Sequence, residues 1–420
     1  MRKTVCELFA GVGGFRVGLE KSSKEWDTVW FSQWEPGRKS QWAHECYVSH
    51  FGDIDSNTNR NISTVNKQTV PEHSLLVGGF PCQNYSVAAS KSSKGIEGEK
   101  GVLWWEIRDL LIAKKAPFVL LENVDRLLKS PAVQRGRDFG VMLTCFAQLG
   151  YRVEWRVINA AEYGAAQRRR RIFIFAYKND TKYANCMDEI NSKEMIHSEG
   201  FFASTFPVDA DNKMKETEVP YHDMTTIDSE VFLTEGEETG DNDLLSVSKE
   251  YQFAFENAGY MKDGKIYTCK VDAIVEEPIL LKDIIIQGAE EQYTIPEDKL
   301  EKWVYLKGAK RINRTSKNGH AYVFSEGPVA FPDSLDKPSR TMLTSESSIN
   351  RSSHAIKDPV TDKIRLITPV EAERLQGFAD DWTNTGMPQK FRYFCMGNAL
   401  VVPMVARMGK TLNKIIEAED

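Results

Sequence analysis

The sequence predicts an α/β protein: a doubly wound sheet of strand–helix units, then a separate, irregular domain with short strands, and a final amphipathic helix. Three observations predict this. Residues 1–178 alternate short apolar runs with stretches of helical spacing. After Tyr177, over residues 178–335, the chain is polar, acidic and weakly periodic. Helical periodicity then returns in Pro403–Glu417.

The elements follow in order. Thr4–Phe9 is a strand that runs into the glycine turn Ala10–Gly14 and a helix through Lys21. Thr28–Ser32 is a second strand, and Arg38–Phe51 a helix with Trp42, Cys46 and Tyr47 at helical spacing. Ser74–Val77 is a short strand ending in two glycines. Trp104–Lys115 is an amphipathic helix, Phe118–Leu121 a buried strand, Gly140–Gly150 the end of a further helix, and Arg152–Asn159 and Arg171–Tyr177 two more strands. Repeated units of this kind put ligand sites at the carboxyl ends of the strands. Thr368–Gln376 reads as a helix, with Thr368 as cap, Pro369 in the first turn and Glu371 at the capping-box position.

Composition narrows the class. The 420 residues suffice for two domains, and 41% hydrophobic with 27% charged residues is the balance of a soluble globular chain. No apolar run approaches the ~20 residues that span a bilayer. The N-terminus MRKTVCELFAG carries no signal-peptide pattern, so a cytoplasmic protein is expected. The seven cysteines form no C-x-x-C pair, which argues against a zinc knuckle or redox dithiol, and no metal is expected. The net charge of −6 is poor for a nucleic-acid binder, but ten acidic residues and no Lys or Arg fall between Glu216 and Ser248. Without that stretch the chain carries about +4, so the acidity is segregated and belongs on a surface turned away from phosphates.

The turn Phe9-Ala10-Gly11-Val12-Gly13-Gly14-Phe15 lets backbone approach a ligand and leaves N–H groups facing it. A glycine turn with no ligand would read the same. The dinucleotide fingerprint is not met, because Arg16 stands at its third glycine. Glu35 follows the second strand, where an acidic side chain takes ribose hydroxyls. Alone, Glu35 would read as a solvated surface residue.

Gly78-Gly79-Phe80-Pro81-Cys82-Gln83 puts a cysteine in a rigid turn after a strand. A lone cysteine is usually inert and buried. Its company changes that reading. Glu122-Asn123-Val124 follows the strand Phe118–Leu121, and Gln167-Arg168-Arg169-Arg170-Arg171 enters an apolar strand. Four successive arginines there are costly unless some pair with carboxylates or phosphates. A thiol, a carboxyl and arginines at strand ends of one sheet form a candidate reaction centre.

Phe9–Phe15, Gly79–Gln83, Glu122–Val124, Gln167–Arg171, Arg365–Phe378 and Gly397-Asn398 resemble the ordered motifs of the cytosine-5 DNA methyltransferase family, of the bacterial or phage modification type. The resemblance covers roughly residues 1–178 and 364–420. It implies a Rossmann-like S-adenosylmethionine-dependent methyltransferase domain with an inserted target-recognition domain. The expected boundaries are 1–178 for the first part of the catalytic domain, 179–396 for target recognition, and 397–420 for a helix completing the catalytic domain.

The resemblance further implies methyl transfer to carbon 5 of a flipped-out cytosine in double-stranded DNA, with S-adenosyl-L-methionine as donor. Cys82 would attack carbon 6, Glu122 would hold N3, Arg171 would contact the base, and Arg169 would shape the cysteine's surroundings. Arg168 and Arg170 are expected to face solvent or phosphates. The cofactor would touch Phe9, Ala10, Gly11, Gly13, Gly14, Glu35, Pro36, Asn61, Ile62, Pro81, Leu103 and Asn398. Asn61 stands where many members carry Asp, and Pro36 where an aromatic ring is common. An amide oxygen still accepts a bond from the adenine amino group.

Asn84–Gly101 is polar and glycine-punctuated and resembles the family's loop that closes over DNA. Gln83, Ser86, Lys91, Lys94 and Lys100 are its expected DNA contacts. In the inserted region, Lys307, Lys310, Arg311, Arg314, Lys317 and Arg351 supply positive charge, and Arg311, Arg314 and Arg351 are the expected contacts. A monomer is expected, with a cognate restriction endonuclease in the host. The alternatives are a tRNA cytosine-5 methyltransferase on the same core, a catalytically dead DNA-binding protein, and a nucleotide-dependent oxidoreductase. The long insert, the intact Cys82 and Glu122, and the missing third glycine weigh against them in turn.

Overall fold

The computed structural model describes residues 1–80, 102–209, 212–220, 248, 250–316 and 319–420. The chain forms two compact units. The first comprises Met1–Asn159, Arg170–Val275 and Val402–Asp420, and the second Ala160–Arg169 and Glu276–Val401.

Among the described residues the first unit is organised by a nine-stranded sheet. Its first half is parallel: β2 (Asp27–Ser32), β1 (Thr4–Leu8), β3 (Leu75–Gly79) and β4 (Phe118–Asn123). The registers Leu8↔Gly78 and Gly79↔Glu122 align the carboxyl ends of three strands at one edge. That edge carries the glycine turn, the segment leading to Cys82, and the Glu-Asn-Val motif. β4 is buried throughout: its apolar run Phe118–Leu121 suits a sheet covered on both faces, and the polar Glu122 and Asn123 follow at its carboxyl end.

The second half is antiparallel. β6 (Arg170–Lys178) runs against β4, and β5 (Tyr151–Asn159) against β6. The expected break at residue 178 is not where the unit ends. β9 (Ala258–Lys262) adds to β5, followed by β10 (Lys265–Cys269) and the edge strand β8 (Lys215–Glu218). β7 (Val208–Asp209) and β11 (Asp272–Ala273) make a separate short pair. β8 reads Lys-Glu-Thr-Glu, and its polar side chains are tolerable only because it is exposed at an edge. The acidic stretch beyond it, from 221 to 247, lies outside the described residues.

Helices α1 (Gly14–Ser22), α2 (Trp42–Phe51), α3 (Val102–Lys114) and α4 (Arg137–Gln148) supply the crossovers. The main core joins sheet residues such as Leu76, Leu121 and Ile174 to Trp104, Phe139 and Trp155. The C-terminal helix Val402–Ala418 packs on α1. Their approach is close because glycines face it: a Cβ on Gly18 would stand 2.5 Å from Val405 Cβ. No described helix is long and apolar enough to cross a membrane.

The second unit holds the helix Glu297–Lys307, the hairpin β12 (Lys310–Thr315) and β13 (Ala321–Glu326), the pair β14 (Ala355–Lys357) and β15 (Ile364–Leu366), and helices Pro369–Gln376 and Gln389–Asn398. Pro369–Gln376 has the expected capping box: Thr368 Oγ1 accepts from Glu371 N–H, and Glu371 accepts from Thr368 N–H. Arg365, 1% exposed, is bound by Asp358 at 2.8 Å and Glu371 at 2.7 Å. Those hydrogen bonds hold the Asp358 carboxyl below the usual carboxylate range despite its burial.

Candidate active site

The glycine turn is an irregular loop closing β1 onto α1. Phe9, Gly11 and Gly13 all have positive φ, of 55°, 57° and 87°. Gly11 has open space where a Cβ would stand, whereas a Cβ on Gly13 would strike Phe51. Gly11 N–H donates to Gln33 Oε1 at 2.7 Å, and Ala10 N–H to Ser32 O at 2.9 Å. Gln33, which no sequence motif marks, therefore fixes the turn from the neighbouring strand end. Ala10 is buried with Phe31 and Tyr47, and Gly14 opens α1.

Beneath the turn, Glu7 is fully buried. Its Oε2 accepts from Tyr47 Oη at 3.0 Å, and the guanidinium of Arg16 is near. Burial nevertheless pushes its carboxyl up to about 7.

Glu35 lies just past β2 with its backbone clamped by Gln41: its N–H donates to Gln41 Oε1 at 2.7 Å, and its carbonyl accepts from Gln41 Nε2 at 2.9 Å. Its side chain is mostly buried, and Arg38 Nε stands 3.6 Å from Oε1. Oε2 is buried without a hydrogen-bond partner among the described residues. Burial raises this carboxyl above its ordinary value. A desolvated carboxylate oxygen without a donor is unfavourable until a ligand supplies one. Two ribose hydroxyls are suitable donors, so the residues present fit the cofactor that the resemblance implies.

The other expected cofactor residues are placed as follows. Asn61 Oδ1 accepts from Ser63 N–H at 3.2 Å, capping a short 3₁₀ turn, and Ile62 is buried in the main core. Pro36 is exposed. Leu103, in α3, packs against the main core. Asn398 ends the helix Gln389–Asn398 of the second unit. Pro81, Cys82, Gln83, Ser86, Lys91, Lys94 and Lys100 lie outside the described residues.

The structure brings Glu122 and Arg171 together. Glu122 is the last but one residue of β4, and Arg171 the second of β6, beside it because the two strands are antiparallel. Arg171 Nε stands 2.8 Å from Glu122 Oε1, with both side chains mostly buried. Glu122 Oε2 lies against Gly79, 3.4 Å from where a Cβ would be. The next motif residue, Asn123, donates from Nδ2 to Phe80 O at 3.3 Å. The carboxyl and the last described residues before Cys82 are thereby tied to each other.

Exposure alternates along the arginine run: Arg168 and Arg170 are exposed, Arg169 is buried. Arg170 makes a surface ion pair with Asp125 at 3.3 Å. Arg169, within the second unit, donates to Met342 O at 3.0 Å and Gly397 O at 2.8 Å. Gln167 is buried there too, its Oε1 accepting from Met342 N–H at 2.9 Å. The Q-x-R part of the motif thus binds backbone carbonyls and N–H groups, and the last arginine binds the carboxylate.

Two basic residues of the second unit serve other ends than expected. Arg351 donates to Leu306 O at 2.9 Å, Gly308 O at 3.0 Å and Gly327 O, so its guanidinium is committed to protein carbonyls rather than free for DNA. Lys307 is 1% exposed, bonds Ser353 O, and is pushed down to about 8 by burial.

With this geometry in place, the comparisons with known proteins are specific. The C-5 cytosine-specific DNA methylase family matches residues 3–414. The chain is 46% identical over 418 residues to the type II methyltransferase M.Sau3AI of Staphylococcus aureus, spanning 98% of this chain and 95% of that protein. It is 33% identical over 179 residues to the type II methyltransferase M.HhaI of Haemophilus parahaemolyticus, spanning 43% of this chain and 50% of that one. Among solved structures, the Entamoeba histolytica methyltransferase EhMeth aligns with a TM-score of 0.60 at 15% identity, covering 99% of both chains, which is likeness of fold. A glutamate paired with an arginine at the sheet edge that also carries the glycine turn thus coincides with a family match over nearly the whole length, and the chain belongs to the C-5 cytosine-specific DNA methylases.

Proposed function

We propose that this enzyme methylates cytosine at a defined sequence in duplex DNA, through a covalent bond between Cys82 and carbon 6 of a base swung out of the helix. The single observation that carries the reading is the Glu122–Arg171 pair at 2.8 Å, set against Gly79 three residues before Cys82.

Carbon 5 of cytosine is too weak a nucleophile to react unaided. The Cys82 thiolate adds to carbon 6, and the electron pair displaced from the 5,6 double bond makes carbon 5 nucleophilic. Glu122, oriented through Oε1 by Arg171, uses its other oxygen to hold a proton at N3 and so stabilise the adduct. S-adenosylmethionine, when bound, supplies an electrophilic methyl group. Loss of the proton from methylated carbon 5 to a base re-forms the double bond and expels the thiolate, restoring the ring. Glu35 would hold the cofactor's ribose, with the open backbone at Gly11 and the residues Phe9, Ala10, Gly13, Gly14, Pro36, Asn61, Ile62, Pro81, Leu103 and Asn398 as further contacts. Flipping costs a few kcal/mol, offset by contacts to the base and flanking phosphates. Gln83, Ser86, Lys91, Lys94 and Lys100 are assigned to those DNA contacts. The second unit reads the sequence, and a restriction nuclease of matching specificity is the expected companion of a monomeric enzyme.

The test is transfer of labelled methyl to duplex DNA and to tRNA, side by side, by the wild type and Cys82→Ser. Incorporation into DNA alone, lost with serine, is expected. Incorporation into tRNA alone, or full activity with serine, overturns the reading.

A further inference from the structure

The hairpin of β12 and β13 has two unlike faces. The register pairs Lys310 with Glu326, Ile312 with Phe324 and Arg314 with Tyr322 on one face, and Arg311 with Ser325, Asn313 with Val323 and Thr315 with Ala321 on the other. On the first face Lys310, Ile312, Phe324 and Glu326 are half-buried, and Arg314 lies over the Phe324 ring at 4.0 Å. On the second face all six residues are exposed. Arg311, Asn313 and Thr315 have no side-chain hydrogen bond or ion pair among the described residues.

That exposed face carries no acidic side chain. Glu326, the acid of the hairpin, is on the other face near Lys310 and Arg351, each at 3.7 Å. Its side chains are a guanidinium, an amide, two hydroxyls and two small apolar groups. This is the set that discriminates base edges: Arg for guanine, Asn for adenine, hydroxyls for either, and methyl groups for thymine. A two-stranded ribbon also has the width that the major groove of B-DNA admits.

The ribbon is held rigidly at its base. Arg351 binds the carbonyls of Gly308 and Gly327, which flank the two strands, and Leu306 O in the adjoining helix. Val329 N–H donates to Lys307 O at 2.8 Å, and Lys310 Nζ to Leu306 O at 3.2 Å. A rigid base is what a reading element needs, since a loose one loses register with the base pairs.

We infer that β12–β13 enters the major groove and reads the target sequence through the face bearing Arg311 and Asn313, while Arg314 and Arg351 support the ribbon without specifying bases. The inference rests on the duplex-DNA reading above and assigns its specificity to particular residues.

The test is bisulfite sequencing of host DNA after expression of the wild type, Arg311→Ala, Asn313→Ala and, as control, Arg314→Ala. The wild type defines the methylated motif. Each of the first two variants should still methylate, with preference at one motif position relaxed by about 10- to 100-fold. Arg314→Ala should keep the motif. Retention of the full motif by both Arg311→Ala and Asn313→Ala overturns the inference while leaving the enzymatic reading intact. Absence of methylation by the wild type removes that reading and the inference with it. Should a variant lose methylation altogether, its binding to the wild-type target and to a scrambled duplex decides. Equal affinities support the inference, and a uniform loss with target preference intact overturns it.

Discussion

Glu122 and Arg171 stand 2.8 Å apart because β4 ends where β6 begins. A parallel β6 would carry its first residues to the opposite edge of the sheet. The antiparallel turn in the sheet order is therefore what delivers an arginine to the carboxyl end of the parallel strands, beside the glutamate proposed to act on the base.

Removing that arginine should cost turnover rather than DNA affinity. Arg171→Ala is expected to lower kcat by about 10² or more, the scale of a mispositioned acid–base group, with the Kd for duplex DNA within a few-fold of wild type. Arg168→Ala, exposed, should do the reverse: kcat nearly unchanged, and a salt dependence of DNA binding shallower by about one unit of slope. Single-turnover kinetics and salt titrations of binding distinguish the two.

Glu35 should govern cofactor affinity. With its buried Oε2 lacking a donor, Glu35→Ala is expected to weaken S-adenosylmethionine binding by about 10- to 100-fold, the range of a charge-assisted hydrogen bond. Calorimetric titration checks it, and an unchanged Kd would remove Glu35 from the site.

Glu7 predicts a pH dependence of stability. Its carboxyl is shifted from 4.5 to about 7, so between those values the folded chain holds a proton that the unfolded chain has lost. Stability from this group is complete below 4.5 and falls as pH rises through 7, by roughly 3 kcal/mol at most. Glu154, also buried and pushed up to about 7, adds a similar slope. Urea midpoints of wild type and Glu7→Gln should therefore differ in their trend from pH 4.5 to 7, the variant losing less stability over that window.

Gly18 should tolerate no side chain. A Cβ there would meet Val405 of the C-terminal helix at 2.5 Å, so Gly18→Ala is expected to destabilise by about 1–3 kcal/mol, seen as a lower thermal midpoint.

The parts of this arrangement that were legible in the sequence are those set by local chemistry. Hydrophobic runs gave the strands around the site, and the Thr368–Glu371 capping box is visible from spacing alone. The motif residues carried the resemblance. Long-range relationships were not legible. Gln33 meets Gly11 only because β1 and β2 are neighbours, and no pattern marks a glutamine for that task. The strand β8 is too polar to announce itself, and β9 and β10 follow a break in periodicity, so no local pattern marks the sheet's extension past residue 178. Arg351 resembles any basic residue in a polar loop, and its three carbonyl partners come from 24 to 45 positions away.

The most direct measurement uses duplexes with 5-fluorocytosine at the methylated position. Once the ring is methylated, fluorine cannot leave carbon 5 as a proton does, so the bond to carbon 6 cannot be undone. With S-adenosylmethionine present, the account predicts a denaturant-stable protein–DNA complex, mapped by mass spectrometry to Cys82 and absent for Cys82→Ser. A target that is methylated normally but never traps the enzyme, or a crosslink mapped to another residue, would contradict it.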